Sequence, residues 1–274
     1  MASIRILVFT DLDGTLLDQR TYSFKPARPA LRLLQERGIP LIVCTSKTRA
    51  EVEPLRTALQ NTDPFIVENG GAVFFPKGRQ TGGLPGAKEE PGYQVIEMGT
   101  SYARIRGVFS ELKRRLPGRL RGFSDMDVDE VARLTGLSRE DAARAKERDY
   151  DEPFLLTGPA ADLEAVKEIA ASAGLSITQG RFYHLTGSND KGRAVRVVKD
   201  VYSRANGIVP RTIGLGDRPN DLPLLENVDF PVLVQQPGGG YEPTIRLDNL
   251  IFAPGEGPVG WSEAVCELVE RLSG

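Results

Sequence analysis

Two aspartates close the first apolar run of the chain. Ile4-Arg5-Ile6-Leu7-Val8-Phe9-Thr10 leads straight into Asp11-Leu12-Asp13-Gly14-Thr15. Side chains of an extended chain alternate with period two, so Asp11 and Asp13 fall on one side. Like charges that close repel unless a cation or a shared proton offsets them. The pair therefore calls for a cation, a metal above all. A matching piece stands near the other end, where Gly216-Asp217-Arg218-Pro219-Asn220-Asp221 follows an apolar run and opens a helix over Leu222–Leu225. Asp221 could cap that helix. Yet Asp11, Asp13, Asp217 and Asp221, delivered by two strand ends, suit a hard divalent ion that takes oxygen ligands, which is Mg²⁺.

Lys191, in Asn189-Asp190-Lys191-Gly192, stands where a helix begins. A cation there opposes the helix macrodipole, unless both hold an anion such as a phosphoryl group. Thr45 and Ser46 offer hydroxyls at the end of a second apolar run, with Lys47 and Arg49 beside them as surface charge.

The elements that must position these residues alternate. Apolar runs at Ile4–Thr10, Ile39–Thr45 and Thr212–Gly216 read as strands. Leu31 and Leu34 mark a helix stopped by Gly38. Val52, Leu55 and Leu59 mark another, opened by a Thr48-Arg49-Ala50-Glu51 capping box and tolerating Pro54. Such alternation predicts an α/β fold with a parallel sheet covered by helices. Ligands of such sheets bind at the carboxyl ends of strands, which gathers the polar residues into one cleft.

Phe65–Phe75 reads as a hairpin about Asn69-Gly70, Pro76–Gly92 as an exposed loop and Gln94–Glu97 as a strand. From about Thr100 the character changes. Ile105, Val108, Leu112 and Leu116 mark a helix, with short helices expected over Ser124–Leu134 and Ser138–Lys146. A strand Phe154–Leu156, a helix ended by Gly174, and strands near Leu175–Thr178 and Phe182–Leu185 complete a self-contained insertion. The core resumes with Ala194, Val198 and Val201 on a helix.

Composition narrows the possibilities. A length of 274 residues suits one large or two moderate domains, and 40% apolar with 26% charged residues is a globular balance. A net charge of −2 makes no electrostatic case for nucleic acid or an anionic membrane. No apolar run reaches membrane-spanning length, and a strand beginning at Ile4 leaves no room for a signal peptide, so a cytoplasmic protein is expected. Cys44 falls in an apolar strand and reads as a buried thiol. The first strand lacks a Gly-x-Gly-x-x-Gly sequel, which opposes a dinucleotide oxidoreductase. Gly82–Gly92 and Pro237–Gly240 do not run from a strand into a helix and read as loops.

Asp11-Leu-Asp-Gly-Thr15, Thr45-Ser46, Lys191 and Gly216-Asp-x-x-Asn-Asp221 resemble, in order and context, the four motifs of the haloacid dehalogenase (HAD) superfamily of phosphotransferases. The resemblance implies a Rossmann-like parallel-sheet HAD core over residues 1–99 and 184–274, with an inserted α/β cap of C2B type over 100–183. Thr45–Glu51, Pro64–Gly71, Ala145–Phe154, Arg181–Leu185 and Gly216–Leu225 narrow the likeness to the mannosyl-3-phosphoglycerate phosphatases. Ser46-Lys47, where many sugar phosphatases carry Gly-Arg, supports that narrowing.

What the resemblance implies is a Mg²⁺-dependent phosphomonoester hydrolase acting on a small phosphorylated sugar-glycerate in compatible-solute synthesis. Asp11 would be the nucleophile that forms an aspartyl-phosphate, and Asp13 the general acid and then base. Mg²⁺ would be held by Asp11, the Asp13 backbone carbonyl, Asp217 and, directly or through water, Asp221. Lys191 with Thr45 or Ser46 would hold the phosphoryl oxygens, and Asn220 would orient Lys191. Lys47, Asn69, Lys146, Arg148, Arg181, His184 and Asn220 are candidates for the glycerate carboxylate and sugar hydroxyls. Lys146 and Arg148 equally suit a solvated helix face, Tyr183 a place in the cap core, and a lone histidine a structural role. A glucosyl-3-phosphoglycerate phosphatase, another sugar-phosphate phosphatase or a phosphomutase would carry the same core motifs. A non-enzymatic sugar-binding module would have no need of every carboxylate.

Overall fold

The computed structural model describes residues 5–78 and 84–273. Ile4, expected in the first strand, and Gly82 and Gly83 of the glycine-rich stretch lie outside the described residues. The chain begins with β1 (Ile6–Thr10), α1 (Arg28–Glu36), β2 (Leu41–Cys44), α2 (Arg49–Ala58) and β3 (Phe65–Val67), whose strands run parallel. β4 (Ala72–Pro76), β5 (Lys88–Glu90) and β6 (Tyr93–Glu97) extend the sheet antiparallel. β5 falls inside the stretch expected to be loop, because its charged Lys88-Glu89-Glu90 suits an exposed edge strand and hides the strand from a hydrophobicity pattern.

The insertion follows as α3 (Tyr102–Arg115), β7 (Leu120–Gly122), α4 (Val128–Thr135), α5 (Arg139–Ala145), β8 (Asp151–Leu156), α6 (Ala160–Ser172), β9 (Ser176–Gln179) and β10 (Tyr183–Thr186). The chain then returns through α7 (Lys191–Asn206), β11 (Arg211–Gly216), α8 (Leu222–Leu225), β12 (Phe230–Gln235), β13 (Ile251–Glu256) and α9 (Gly257–Ser273).

The larger sheet has the order β13-β12-β11-β1-β2-β3-β4-β6-β5. Apolar side chains of β1 and β2 alternate between two cores. Ile6, Val8, Leu41 and Val43 pack on the side of α1 and α9, whereas Leu7, Phe9, Ile42 and Cys44 pack on the side of α7 and α8. Both faces are covered, which is why these strands read as continuous apolar runs. Cys44 is buried, and burial pushes its thiol up. Strand order reverses between β1 and β11, the switch point at which an open sheet parts to leave a crevice. Trp261 of α9 is fully buried and donates through Nε1 to Thr10 Oγ1 at 2.9 Å, pinning the end of β1.

The second sheet is antiparallel, in the order β7-β8-β10-β9. Phe154 and Leu185 pack under α3 and α6, so period two turns Asp151, Pro153 and His184 to the opposite face, toward the larger sheet. The expected boundary at residue 184 therefore cuts through β10, and the chain leaves this sheet only after Thr186. The expected helix over 124–134 starts at Val128, because Asp127 caps it and a 3₁₀ turn takes up Phe123–Asp125.

The hairpin between β3 and β4 turns through Glu68 and Asn69, both at positive φ (47° and 57°). Such conformations cost of order 1 kcal/mol each for residues with a side chain. Docking of the insertion offsets that cost: the buried Glu68 carboxylate accepts from the backbone N–H groups of Asp149 and Tyr150.

Candidate active site

Register sets the floor of the crevice. Thr10 pairs with Leu215, and Asp11 N donates to Leu215 O at 2.9 Å, so Asp11 and Asp217 emerge side by side. Asp221 joins them by a tight turn in which its Oδ2 accepts from Asp217 N and Arg218 N at 3.0 and 3.1 Å. Carboxylate oxygens of Asp11, Asp217 and Asp221 lie within 4.8 Å of one another, all in buried residues. Lys191, at the first position of α7 and 1% exposed, donates to Asp11 Oδ1 at 2.8 Å and Asp221 Oδ1 at 2.6 Å.

The electrostatics of this group are incomplete. Burial, then the charge of Asp221, pushes Asp11 up to about 7 against the pull of Lys191. Burial with Asp221 and Asp11 lifts Asp217 well above the ordinary carboxylate range. For Lys191 burial works against the charged form, and the two carboxylates outweigh it and raise it. One ammonium thus faces three carboxyl groups. Asp217 Oδ1 accepts from Thr15 Oγ1 at 3.1 Å, but its buried Oδ2 accepts no hydrogen bond. Gly14, at φ +84°, leaves the space over that oxygen open, since a Cβ there would come to 2.7 Å from it. That oxygen has Arg218 Nε 3.2 Å away as its one cationic neighbour, so two cations stand against three carboxyl groups, and a buried carboxylate oxygen without a hydrogen bond among further carboxylates fits a divalent cation of the Mg²⁺ type.

Asp13 turns the other way. Its Oδ2 meets Lys47 Nζ at 2.9 Å, while its buried Oδ1 has no partner. Lys47 also reaches Glu51 Oε1 at 3.3 Å. Burial opposes the Lys47 charge, but Asp13 and Glu51 outweigh it and raise the group. Far from being a surface charge, Lys47 is 8% exposed. Glu51 does double duty: its Oε2 closes the α2 capping box on Thr48 N at 2.9 Å.

A cavity opens above this floor. Asp11, Asp13, Ser46, Lys47 and Asn220 line it from the larger sheet, and Arg148, Arg181 and His184 from the insertion. Tyr22 closes its rim, donating through its hydroxyl to Thr135 O at 2.7 Å, where Arg181 also donates at 2.7 Å.

Residues 8–82 match the model of the haloacid dehalogenase-like hydrolases. A glucosyl-3-phosphoglycerate/mannosyl-3-phosphoglycerate phosphatase of Methanococcoides burtonii is 48% identical over 97% of both chains. The chain belongs to the haloacid dehalogenase-like hydrolases. It is a phosphatase. A second enzyme of the same description, from Persephonella marina, is 44% identical over 97% of this chain and 98% of its own. The HAD subclass IIB sugar phosphatase BT4131 shares the fold, with a TM-score of 0.66 at 16% identity over 97% and 98% of the two chains. The insertion is accordingly a cap on a HAD core. No helix among the described residues is long and apolar enough to cross a membrane.

The HAD motif residues converge, but not every expectation holds in detail. Thr45 is buried below the cavity, its Oγ1 accepting from Lys47 N at 3.2 Å, so Ser46 is the hydroxyl that faces the space. Asn220 makes no hydrogen bond to Lys191: its Nδ2 donates to Asn69 Oδ1 at 3.2 Å, while the ammonium donates to Asp11 and Asp221. Lys146 turns from the cavity, its ammonium donating to the carbonyls of Phe123 and Met126. Tyr183 stacks on Phe154 in the cap core. Thr15, Tyr22, Glu51 and Asp151 were not anticipated. Thr15 was within reach, as the last residue of the Asp-Leu-Asp-Gly-Thr element, whereas Asp151 is one acidic residue among several between 147 and 152.

Proposed function

We propose that the chain is a Mg²⁺-dependent phosphatase of glycosyl-3-phosphoglycerates, mannosyl or glucosyl, acting through an aspartyl-phosphate on Asp11 in the cytoplasm. The observation that carries this reading is a carboxylate floor facing a cationic wall. Asp11 and Asp13 lie under a cavity bordered by Lys47, Arg148 and Arg181, which suits an ester bearing a second anionic group. The names of the two similar enzymes from M. burtonii and P. marina support the same substrate class.

In this reading Lys191 holds Asp11 Oδ1, leaving Oδ2 to attack phosphorus. Asp13 Oδ1, buried and unpartnered, gives its proton to the departing glycerate oxygen and later takes one from the hydrolytic water. The entering anion competes for Lys47, the partner of the other Asp13 oxygen. Ser46 and Lys191 bind phosphoryl oxygens. Asp11, Asp217, Asp221 and the Asp13 carbonyl would hold Mg²⁺, which supplies neutralising charge between nucleophile and ester.

In this reading the described residues up to 99 and from 187 onward form the core domain, and the cap lies between them. The cavity of about 80 Å³ is small beside ordinary ligand pockets of roughly 300–1,000 Å³. A glycosylated ester then enters only when the cap swings outward and the contacts of Tyr22 with Thr135 and Arg181 part. A screen of Mg²⁺-dependent phosphate release across phosphosugars and glycosyl-phosphoglycerates tests the assignment. Preference for the mannosyl or glucosyl ester is expected; preference for simple hexose phosphates would remove the narrow substrate and leave the phosphatase.

A further inference from the structure

Asp151 and His184 form a buried pair that the phosphoryl chemistry leaves unused. Asp151 is fully buried at the start of β8, and its oxygens lie 2.8 and 3.0 Å from His184 Nδ1. Asp151 Oδ2 also accepts from Asn69 Nδ2 at 3.1 Å, and Asn69 Oδ1 accepts from Asn220 Nδ2 at 3.2 Å. A carboxylate only accepts, so the proton between Asp151 and the ring belongs to Nδ1. Nε2 is then the ring's remaining polar atom for the cavity that His184 lines.

The cap wall has a shortage that this atom meets. Its other polar side chains at the cavity are Arg148 and Arg181, which only donate, and Thr135, whose hydroxyl donates to Val131 O and accepts from Leu137 N. Beside the one lone pair left on that committed hydroxyl, His184 Nε2 is the acceptor these side chains offer. Resting on the substrate reading above, we propose that Asp151 is a positioning residue that fixes His184 as the acceptor for a hydroxyl of the leaving group. Through Asn69 it also registers the cap on the Asn220 loop, between the carboxylates of Asp217 and Asp221.

Asp151→Asn is nearly isosteric but can donate to Nδ1, which moves the ring proton to Nε2 and turns the acceptor into a donor. His184 is the chain's only histidine, so its ring nitrogens give unobstructed ¹⁵N resonances. At pH 8 the wild-type protein is expected to show protonated Nδ1 and bare Nε2, and Asp151→Asn the reverse. Wild-type Nε2 carrying a proton overturns the proposal, whatever the substrate proves to be.

The kinetic arm compares mannosyl-3-phosphoglycerate with p-nitrophenyl phosphate, whose leaving group has no sugar or glycerate hydroxyl. Asp151→Asn and His184→Ala should each lose at least tenfold more kcat/KM on the first ester than on the second. The double variant should lose no more than His184→Ala alone. Equal losses on both esters, or losses that multiply, would mean that Asp151 merely supports the fold. If wild type hydrolyses only p-nitrophenyl phosphate, the substrate reading fails and the ring proton still decides the proposal.

Discussion

The floor and the cap wall of the crevice obtain their polar groups in different ways. On the floor, Asp11 and Asp217 leave the ends of adjacent parallel strands, and Lys191 leaves the first turn of a helix. The group is short of positive charge, with two carboxyls displaced upward and one buried oxygen that accepts no hydrogen bond. On the cap wall, side chains are mostly engaged already: Arg181 on the carbonyls of Leu134 and Thr135, Arg148 on those of Ala145 and Ser46, His184 on Asp151. The floor has a charge deficit that a cation would fill, whereas the side chains of the cap wall are largely satisfied by one another and by backbone carbonyls. The proposed function thus assigns chemistry to one wall and selection to the other.

The largest effect should come from breaking the floor. Asp11→Asn should lower turnover by roughly 10⁴-fold or more on every ester, with the melting curve of the folded protein retained. Next, Lys191→Met should leave Asp11 and Asp221 buried without their cation, destabilising the metal-free protein by about 3–5 kcal/mol in chemical denaturation. Added Mg²⁺ should recover part of that loss; a variant as stable as wild type without metal would refute the charge deficit.

A pH series sharpens the same contrast. Asp11 is displaced from 3.8 to about 7, Asp217 is displaced upward as well, and burial raises Glu68 from 4.5 to about 8. Each binds its proton more tightly folded than unfolded, so between about pH 5 and 8 the folded state carries more protons and stability falls as pH rises. Thermal melts of the metal-free protein should show that fall. On the proposed function Mg²⁺ binds the deprotonated floor, and adding it should flatten the fall. A metal-free melt rising steadily from pH 5 to 8 would contradict the floor's electrostatics.

The smallest effects separate two cap residues of like charge. Arg148→Ala should raise KM for the glycosyl ester by about tenfold or more, because it faces the cavity and leaves Glu51 and Asp151 without their neighbour. Lys146→Ala should stay within about twofold, since its ammonium serves backbone carbonyls. Equal losses in the two variants would erase the distinction between them.

The same contrast explains what was legible in the sequence. Residues that follow an apolar strand inherit their position from the strand, so Asp11, Asp217 and Ser46 could be gathered into one cleft from spacing alone. Lys146 and Arg148 lie two residues apart at the end of α5, and which of them faces the cavity depends on how that helix caps. Nothing local encodes that choice. Asp151 depends on its pairing partner across β8 and β10 and on Asn69 in a distant hairpin. Strands β12 and β13 and helix α9 carried no catalytic motif, and the Gly257-Pro258-Val259-Gly260 start of α9 disguises a helix whose Trp261 anchors β1.

The central claim is that Asp11 forms the covalent intermediate. Enzyme acid-quenched during steady-state turnover of the glycosyl ester with Mg²⁺, then reduced with borohydride, converts an acyl-phosphate side chain to homoserine. Peptide mass spectrometry should find homoserine at position 11 alone. Its appearance at Asp13, or its absence under conditions where phosphate is being released, would contradict the account.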